Sequence, residues 1–196
     1  MEGNNNSKVR HVKLCLIGNA GVGKTCIAAR LLYNTYNSFT QPSIGVAYGT
    51  KDIRIEGVSY KIHVWDTAGE ERYYSMIPLY YRNTNAVIVV YDITNPNSFA
   101  SIKNWIKEVK LYTSSDLIVA IAGNKCDLAE SRRVNAKLAK NYADDIGAFY
   151  FETSARANIN IQDTFFRIAQ ALHRKIANRY CEIEKLEKER NHQKCC

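Results

Sequence analysis

The chain has 196 residues, 46% of them apolar, and carries a formal net charge of +8 with a sequence pI of about 9.2. That size suits one domain with a good core plus tails, and that apolar share excludes global disorder. No apolar run reaches the ~18–20 residues of a membrane span, and residues 1–10 are polar and Asn-rich with no signal-peptide core, so a cytosolic protein with a short disordered N-terminus is expected.

The positive charge would attract nucleic acid or an anionic membrane surface. No Lys/Arg stripe is interleaved with aromatics, so the membrane is the expected partner and nucleic acid is not. None of the six cysteines has zinc-site spacing, and the cytosolic reading argues against disulfides. Cys15, Cys26 and Cys126 read as small buried fillers. Cys195 and Cys196 differ, because they are the last two residues of the sequence.

In chain order, residues 12–17 read as a buried strand and 24–34 as a helix. Between them stands Gly18-Asn19-Ala20-Gly21-Val22-Gly23-Lys24-Thr25, a G-x-x-x-x-G-K-[ST] turn. Residues 35–46 read as a loop. Residues 47–56 and 58–65 flank Glu56-Gly57 and read as a hairpin. A short irregular helix is expected over 72–82, a strand buried on both faces over 86–91, and one helix from Asn97 to about Tyr112. A strand over 117–122, a helix over 134–145, a strand over 149–151 and a helix from Ile159 to about Lys175 complete the pattern. Alternating strands and helices predict an α/β fold: a six-stranded, mostly parallel sheet with one antiparallel edge strand and helices on both faces. One domain over 8–178 is expected, preceded by residues 1–7 and followed by a flexible tail over 179–196, read as a solvated helix extension that gives way to disorder.

The glycine-rich turn carries the first chemistry. Its glycines let successive N–H groups of Asn19, Ala20, Gly21, Val22 and Gly23 curl around phosphate oxygens, and the helix N-terminus behind Lys24, Thr25 and Cys26 adds partial positive charge. Lys24 can reach the β- and γ-phosphates, and the Thr25 hydroxyl can ligate Mg²⁺. The bland alternative is a Gly-rich turn with an accidental Gly-Lys-Thr. Asp66 ends a predicted strand on the same rim. Alone it would be a turn residue, but beside a phosphate loop it suits Mg²⁺ coordination through a water. Gly69 could bring its backbone N–H to a γ-phosphate. Asn124-Lys125-Cys126-Asp127 follows another strand. A carboxylate at Asp127 accepts two parallel hydrogen bonds, and guanine offers two adjacent donors. Adenine lacks that pair, and a buried polar site rejects such an analogue by ~10⁴-fold or more. By itself N-K-x-D could be an Asn/Asp turn. Glu152-Thr153-Ser154-Ala155 would place a backbone N–H, at Ala155 beside Ser154, against guanine O6.

These ordered motifs, with Ser43-Ile44-Gly45, Trp65-Asp66-Thr67-Ala68-Gly69, Tyr80-Tyr81-Arg82, Val90-Tyr91-Asp92-Ile93-Thr94 and the terminal Cys-Cys, resemble the Ras superfamily of small GTPases and, within it, the Rab branch. Ala122–Leu128, Tyr142-Ala143-Asp144 and Phe151–Ala155 look like its early-endosomal subgroup. The resemblance covers about residues 8–178. It implies a switch that binds GTP or GDP with Mg²⁺ and hydrolyses GTP, with Thr25, Ser43 and Asp66 on the metal and Lys24, Gly69 and residue 70 at the reacting phosphate. It implies that Tyr36 packs on the guanine, where the bland alternative is a loop aromatic resting on the core. Tyr48, Trp65 and Tyr80 match the aromatic triad presented to effectors, although simple packing explains them equally well. The resemblance also implies an exchange factor, an activating protein, effectors, a GDP-dissociation inhibitor and a prenylation escort. Two lipid chains on Cys195 and Cys196 would anchor the protein stably where one would be marginal. The protein would cycle, as a monomer, between cytosol and the cytoplasmic face of endosomal membranes.

Three residues depart from the pattern. Ser43 stands where Thr is usual, so the hydroxyl is kept and the stiff β-branched methyl is lost. Glu70 stands where Gln usually orients the attacking water. A carboxylate accepts a proton but donates no hydrogen bond, so altered, slow intrinsic hydrolysis is expected. The rival reading is therefore a GTP-binding switch that recruits effectors and hardly hydrolyses. Ala20 stands where Ser or Gly is usual, and little follows from it. A phosphotransferase using the same loop would leave Asn124–Asp127 without a role.

Overall fold

The computed structural model describes residues 9–38, 46–67 and 80–193, with 180–193 as backbone. Six strands form one sheet in the order β2-β3-β1-β4-β5-β6. They are β1 (Arg10–Ile17), β2 (Val46–Ile55), β3 (Val58–Thr67), β4 (Ala86–Asp92), β5 (Ile118–Asn124) and β6 (Phe149–Thr153). Only the edge strand β2 is antiparallel, paired with β3 from Val46↔Thr67 to Ile55↔Val58. Glu56 and Gly57 both have positive φ (48° and 82°), as a tight two-residue hairpin turn requires. The sheet is the one expected from the sequence.

Alternation along the strands builds two cores. On one face Val12, Leu14 and Leu16 of β1 and Ile88 of β4 pack with Ile27 and Leu31 of α1 (Lys24–Tyr33). The last helix covers the same face through Phe165, Ile168 and Leu172. On the other face Cys15, Ile17, Val87 and Val89 meet Ile102, Trp105, Ile106 and Val109. Each such buried side chain contributes roughly 1.5–3 kcal/mol relative to exposure.

The helices depart from expectation in two places. The single helix expected over 97–112 is two, α2 (Pro96–Ala100) and α3 (Ile102–Lys110), separated at Ser101. The Asn95 side chain caps α2 by accepting from the N–H groups of Asn97 and Ser98. A 3₁₀ segment, Cys126–Ser131, is present where no helix is expected. After α4 (Ala136–Asp145), the last helix α5 runs Ile161–Gln193, so the helix extension expected beyond Lys175 is present. The expected helix over 72–82 lies mostly outside the described residues. No described helix is long and apolar enough to cross a membrane.

The parallel arrangement sets the site. β1, β3, β4, β5 and β6 all end on one rim, at Ile17, Thr67, Asp92, Asn124 and Thr153. Ligands of open α/β sheets bind beyond such carboxyl ends.

Candidate functional site

The rim carries the glycine-rich turn at its centre. Gly18 has φ 135°, and a Cβ there would lie 2.2 Å from the Val90 carbonyl oxygen. Gly23 has φ 99°, and its Cβ would lie 2.3 Å from Asn124 Nδ2. Both positions are closed to any side chain, because β4 and β5 crowd the turn. Gly23 is also the N-cap of α1, with no side chain capping the first turn. The N–H groups that begin α1 are thus presented to an anion.

Lys24 lies folded into this turn. Its Nζ donates to the carbonyls of Gly18 (2.8 Å) and Asn19 (2.9 Å), and the residue is 5% exposed. Burial pulls its pKa down to about 8, and the nearby Asp66 opposes that shift. Asp66 is 1% exposed, and neither carboxylate oxygen finds a partner of hydrogen-bonding geometry. Burial pushes its carboxyl up, while the facing Thr25 hydroxyl and Lys24 act in the opposite sense. An orphaned buried carboxylate between a hydroxyl and an ammonium is unstable as it stands and well suited to a small hard cation. Among the described residues no three His, Cys, Asp or Glu converge on a metal position. That fits a cation drawing most of its ligands from hydroxyl, phosphate and water.

The other end of the rim is fully paired. Asn124, 2% exposed, donates through Nδ2 to the Val22 carbonyl (2.8 Å). Its Oδ1 accepts from Thr153 Oγ1 (3.3 Å) and Ala155 N (3.4 Å). Lys125 takes φ 66° and sets its Nζ 2.6 Å from Asp92 Oδ2. Asp92 also accepts from the backbone and hydroxyl of Thr94 (2.8 and 2.7 Å). Burial alone would raise the Asp92 carboxyl, but these Lys125 and Thr94 hydrogen bonds outweigh it and hold it below the usual carboxylate range. Asp127 Oδ1 accepts from Ser154 Oγ (2.5 Å), which itself accepts from Ala157 N (2.9 Å). Behind them Arg132 grips both Glu152 oxygens (2.6 and 2.8 Å) and so fixes the 3₁₀ segment against β6.

A cavity of about 100 Å³ opens here, lined by Gly23, Cys26, Tyr36, Asp127 and Ala155 among others. The structure therefore brings the phosphate loop, Cys26, Tyr36, Asp66, Asn124, Lys125, Asp127, Ser154 and Ala155 to one rim. Two larger hollows, of about 300 and 500 Å³, lie toward the opposite rim around Ser114 and Lys175 and contain none of these residues. Ser43, Gly69, Glu70, Cys195 and Cys196 lie outside the described residues.

Away from the rim, Tyr48, Trp65 and Tyr80 adjoin in series, with ring centroids 5.3 and 6.2 Å apart. Lys13 Nζ stands 4.5 Å above the Trp65 ring. Sequence reasoning missed the residues that brace the site from a distance. Asn19 accepts from Trp105 Nε1 (2.8 Å) and donates to Ser101 Oγ (3.3 Å), and Arg30 donates to the Ala155 carbonyl (3.0 Å). No local signal marks such contacts, whose partners stand 82–125 positions apart.

The family model described as Ras family matches residues 13–174. The chain is 42% identical over 170 residues to human "Ras-related protein Rab-22A", covering 87% of this chain and 88% of that protein. It is 43% identical over 164 residues to human "Ras-related protein Rab-31", covering 84% of each. It is 42% identical over 172 residues to "Ras-related protein Rab5A" of Oryza sativa subsp. japonica, covering 88% of this chain and 85% of that protein.

Proposed function

The chain belongs to the Ras family, on its Rab branch, and is a GTPase switch that binds guanine nucleotide; from that premise we propose that it directs vesicle traffic at the cytoplasmic face of endosomal membranes. One observation carries the assignment of the site. Asn124 ties the phosphate loop, through Val22, to the base-side loop, through Thr153 and Ala155. A single ligand spanning both ends of the rim is what that brace serves.

In this reading Asp127, steadied by Ser154, accepts from guanine N1–H and the 2-amino group. Ala155 N–H is only weakly engaged at 3.4 Å and remains available to guanine O6. Tyr36 and Cys26 close the base side. The turn from Asn19 to Thr25 wraps the phosphates, and Lys24 exchanges its loop carbonyls for phosphate oxygens. Thr25 and Asp66, with Ser43, would hold Mg²⁺, which when bound offsets charge developing on the phosphates. The Gly69 N–H would meet the γ-phosphate, and Glu70 would stand beside the attacking water. Rab-type regulators and effectors are the partner kinds the family implies. We assign an exchange factor, an activating protein, a GDP-dissociation inhibitor and a prenylation escort to the cycle, and effector contact to Tyr48, Trp65 and Tyr80. Prenyl groups on Cys195 and Cys196 anchor the active form.

Extraction of the nucleotide from purified protein tests the site: GDP or GTP is expected, and ATP would overturn the base argument. Glu70 supports the second reading, a switch with very little intrinsic hydrolysis. Single-turnover phosphate release from wild type and Glu70→Gln separates the two, with faster release expected from the variant. Equal rates would remove the reason for the second reading.

A further inference from the structure

The open face at the antiparallel end of the sheet carries a cluster that nucleotide chemistry does not use. β3 sets Lys61, His63 and Trp65 along that face. β1 sets His11 and Lys13 beside Lys61 and His63, and β2 sets Tyr48, Thr50 and Asp52 beside Trp65, His63 and Lys61. His11 Nδ1 lies 2.8 Å from His63 Nε2, and Tyr48 Oη lies 2.5 Å from His63 Nδ1. The two imidazole centroids are 5.1 Å apart, with planes 26° from parallel. That separation is the nitrogen–nitrogen distance plus the two ring radii. Both nitrogens therefore lie on the line between ring centres, and the contact is an end-on hydrogen bond rather than a face-to-face stack.

Such a bond holds one hydrogen and only one between the rings. The distances fit either tautomer of the neutral pair, and the intrinsically favoured one has each ring's hydrogen on Nε2. His63 Nε2–H then donates to His11 Nδ1, and the Tyr48 hydroxyl donates to His63 Nδ1. One added proton leaves the inter-ring bond intact. Whichever ring is assigned the charge, His63 Nδ1 must now carry hydrogen, so it donates to Tyr48 and the hydroxyl hydrogen turns outward. A second added proton would set N–H against N–H at 2.8 Å and break the pair.

The surroundings bear on the same proton. Lys13 on β1 and Lys61 on β3 flank His63, and Thr50 opposite it is neutral. The one carboxylate on this stretch, Asp52, sits 3.8 Å from Lys61. Burial lowers the His63 pKa, and His11 and Lys61 add to that effect.

We propose that His11 and His63 form a one-proton switch that reverses the hydrogen-bond polarity of Tyr48. In the neutral state Tyr48 offers a partner an acceptor. In the singly charged state it offers a donor on a face already made cationic by Lys13 and Lys61. The partner favoured by protonation is therefore one that brings a carboxylate to Tyr48. This consequence for partners rests on the effector reading of Tyr48 above; the shared proton does not.

The test is an imidazole ¹H–¹⁵N NMR titration of the full chain loaded with GDP, from about pH 8 to pH 5, the range in which histidine changes charge. Only four histidines are present, so His11→Asn and His63→Asn assign the signals. The pair is expected to gain about one proton in total, with both rings following one shared midpoint. His63 Nδ1 should pass from an acceptor-type to an N–H-type shift in that step. In His11→Asn, His63 should titrate alone with a displaced midpoint. Uptake of two protons with both rings fully charged at about pH 5 would overturn the proposal. So would a His63 midpoint unmoved by His11→Asn. Failure of effectors to contact Tyr48 would refute the effector reading and leave the proton count untouched.

Discussion

The two ends of the rim are built on opposite principles. At the end proposed to hold the base, every buried polar side chain described has a partner: Asn124 with Val22, Thr153 and Ala155, and Asp92 with Lys125 and Thr94. At the phosphate end Asp66 is buried with neither oxygen bonded, and Lys24 is turned onto carbonyls of its own loop. The base end is a preformed mould whose hydrogen bonds stabilise the apoprotein. The phosphate end holds unfavourable electrostatics that a polyanion with a cation would relieve. In the proposed reading, specificity would then reside where the side chains are paired, and the ligand's contribution to stability where they are not.

Substitutions at the two ends should therefore fail in different ways. On the proposed reading, Lys24→Ala would remove charge-assisted bonds to phosphate, each worth ~1.5–3 kcal/mol. Nucleotide affinity by equilibrium titration is expected to fall by about a thousandfold, ~4 kcal/mol. In the apoprotein the bonds lost to Gly18 and Asn19 are offset by relief of the buried charge, so its stability in urea should change by no more than ~1 kcal/mol. Asn124→Ala should do the reverse. It strands the Val22 carbonyl and the Ala155 N–H, so the apoprotein itself is expected to lose about 2–3 kcal/mol in urea unfolding. An Asn124→Ala protein of unchanged stability would mean that the base end is not preformed.

Asp66→Asn sharpens the contrast through its sign. The substitution keeps the shape and removes a buried charge that burial disfavours more than Thr25 and Lys24 favour it. The apoprotein should gain about 1–2 kcal/mol in stability, and the Mg²⁺-dependent part of nucleotide affinity should fall. The two effects are read separately, by urea unfolding without ligand and by affinity with and without Mg²⁺. Loss of apoprotein stability would show that Asp66 is not strained.

The sequence exposes the mould more readily than its braces. Strand β4 is a continuous apolar run buried on both faces, and β1 over Leu14–Ile17 and β5 over most of its length are the same, so their positions are legible, and the motifs at their ends lie on one rim because parallel strands finish together. The break at Ser101 is hidden, because Phe99, Ile102, Trp105, Ile106 and Val109 keep helical spacing across it. The residue there answers instead to Asn19, which donates to its hydroxyl from 82 positions away. The 3₁₀ segment Cys126–Ser131 buries no residue and so leaves no periodic signature. It is held by Arg132 on Glu152, a contact made across β6. The continuation of α5 to Gln193 follows from charge spacing rather than apolar spacing, as expected of a solvated extension. Glu184 and Lys188, like Lys185 and Glu189, stand at the i,i+4 spacing that supports an exposed helix.

The smallest effect expected is the acid response of Asp92, and it tests the claim that the base end is paired before ligand arrives. Its carboxyl is held below the usual range by Lys125 and Thr94 against the cost of burial. A carboxylate whose folded pKa is depressed contributes stability above its unfolded value, ~3.9, and loses that contribution as pH falls through the folded value. In Asp92→Asn the Thr94 bonds can persist, but Lys125 loses its counter-charge. The variant should be about 1 kcal/mol less stable than wild type in urea at about pH 7. That difference should hold down to about pH 4.5 and close only below about pH 4. A gap that closed between about pH 7 and pH 5 would place the Asp92 carboxyl above its ordinary value, and the base end would then carry the same strain as Asp66. A gap that never closed would show that the substitution disturbs packing rather than charge, and the pairing of Lys125 with Asp92 at 2.6 Å would contribute nothing to the mould.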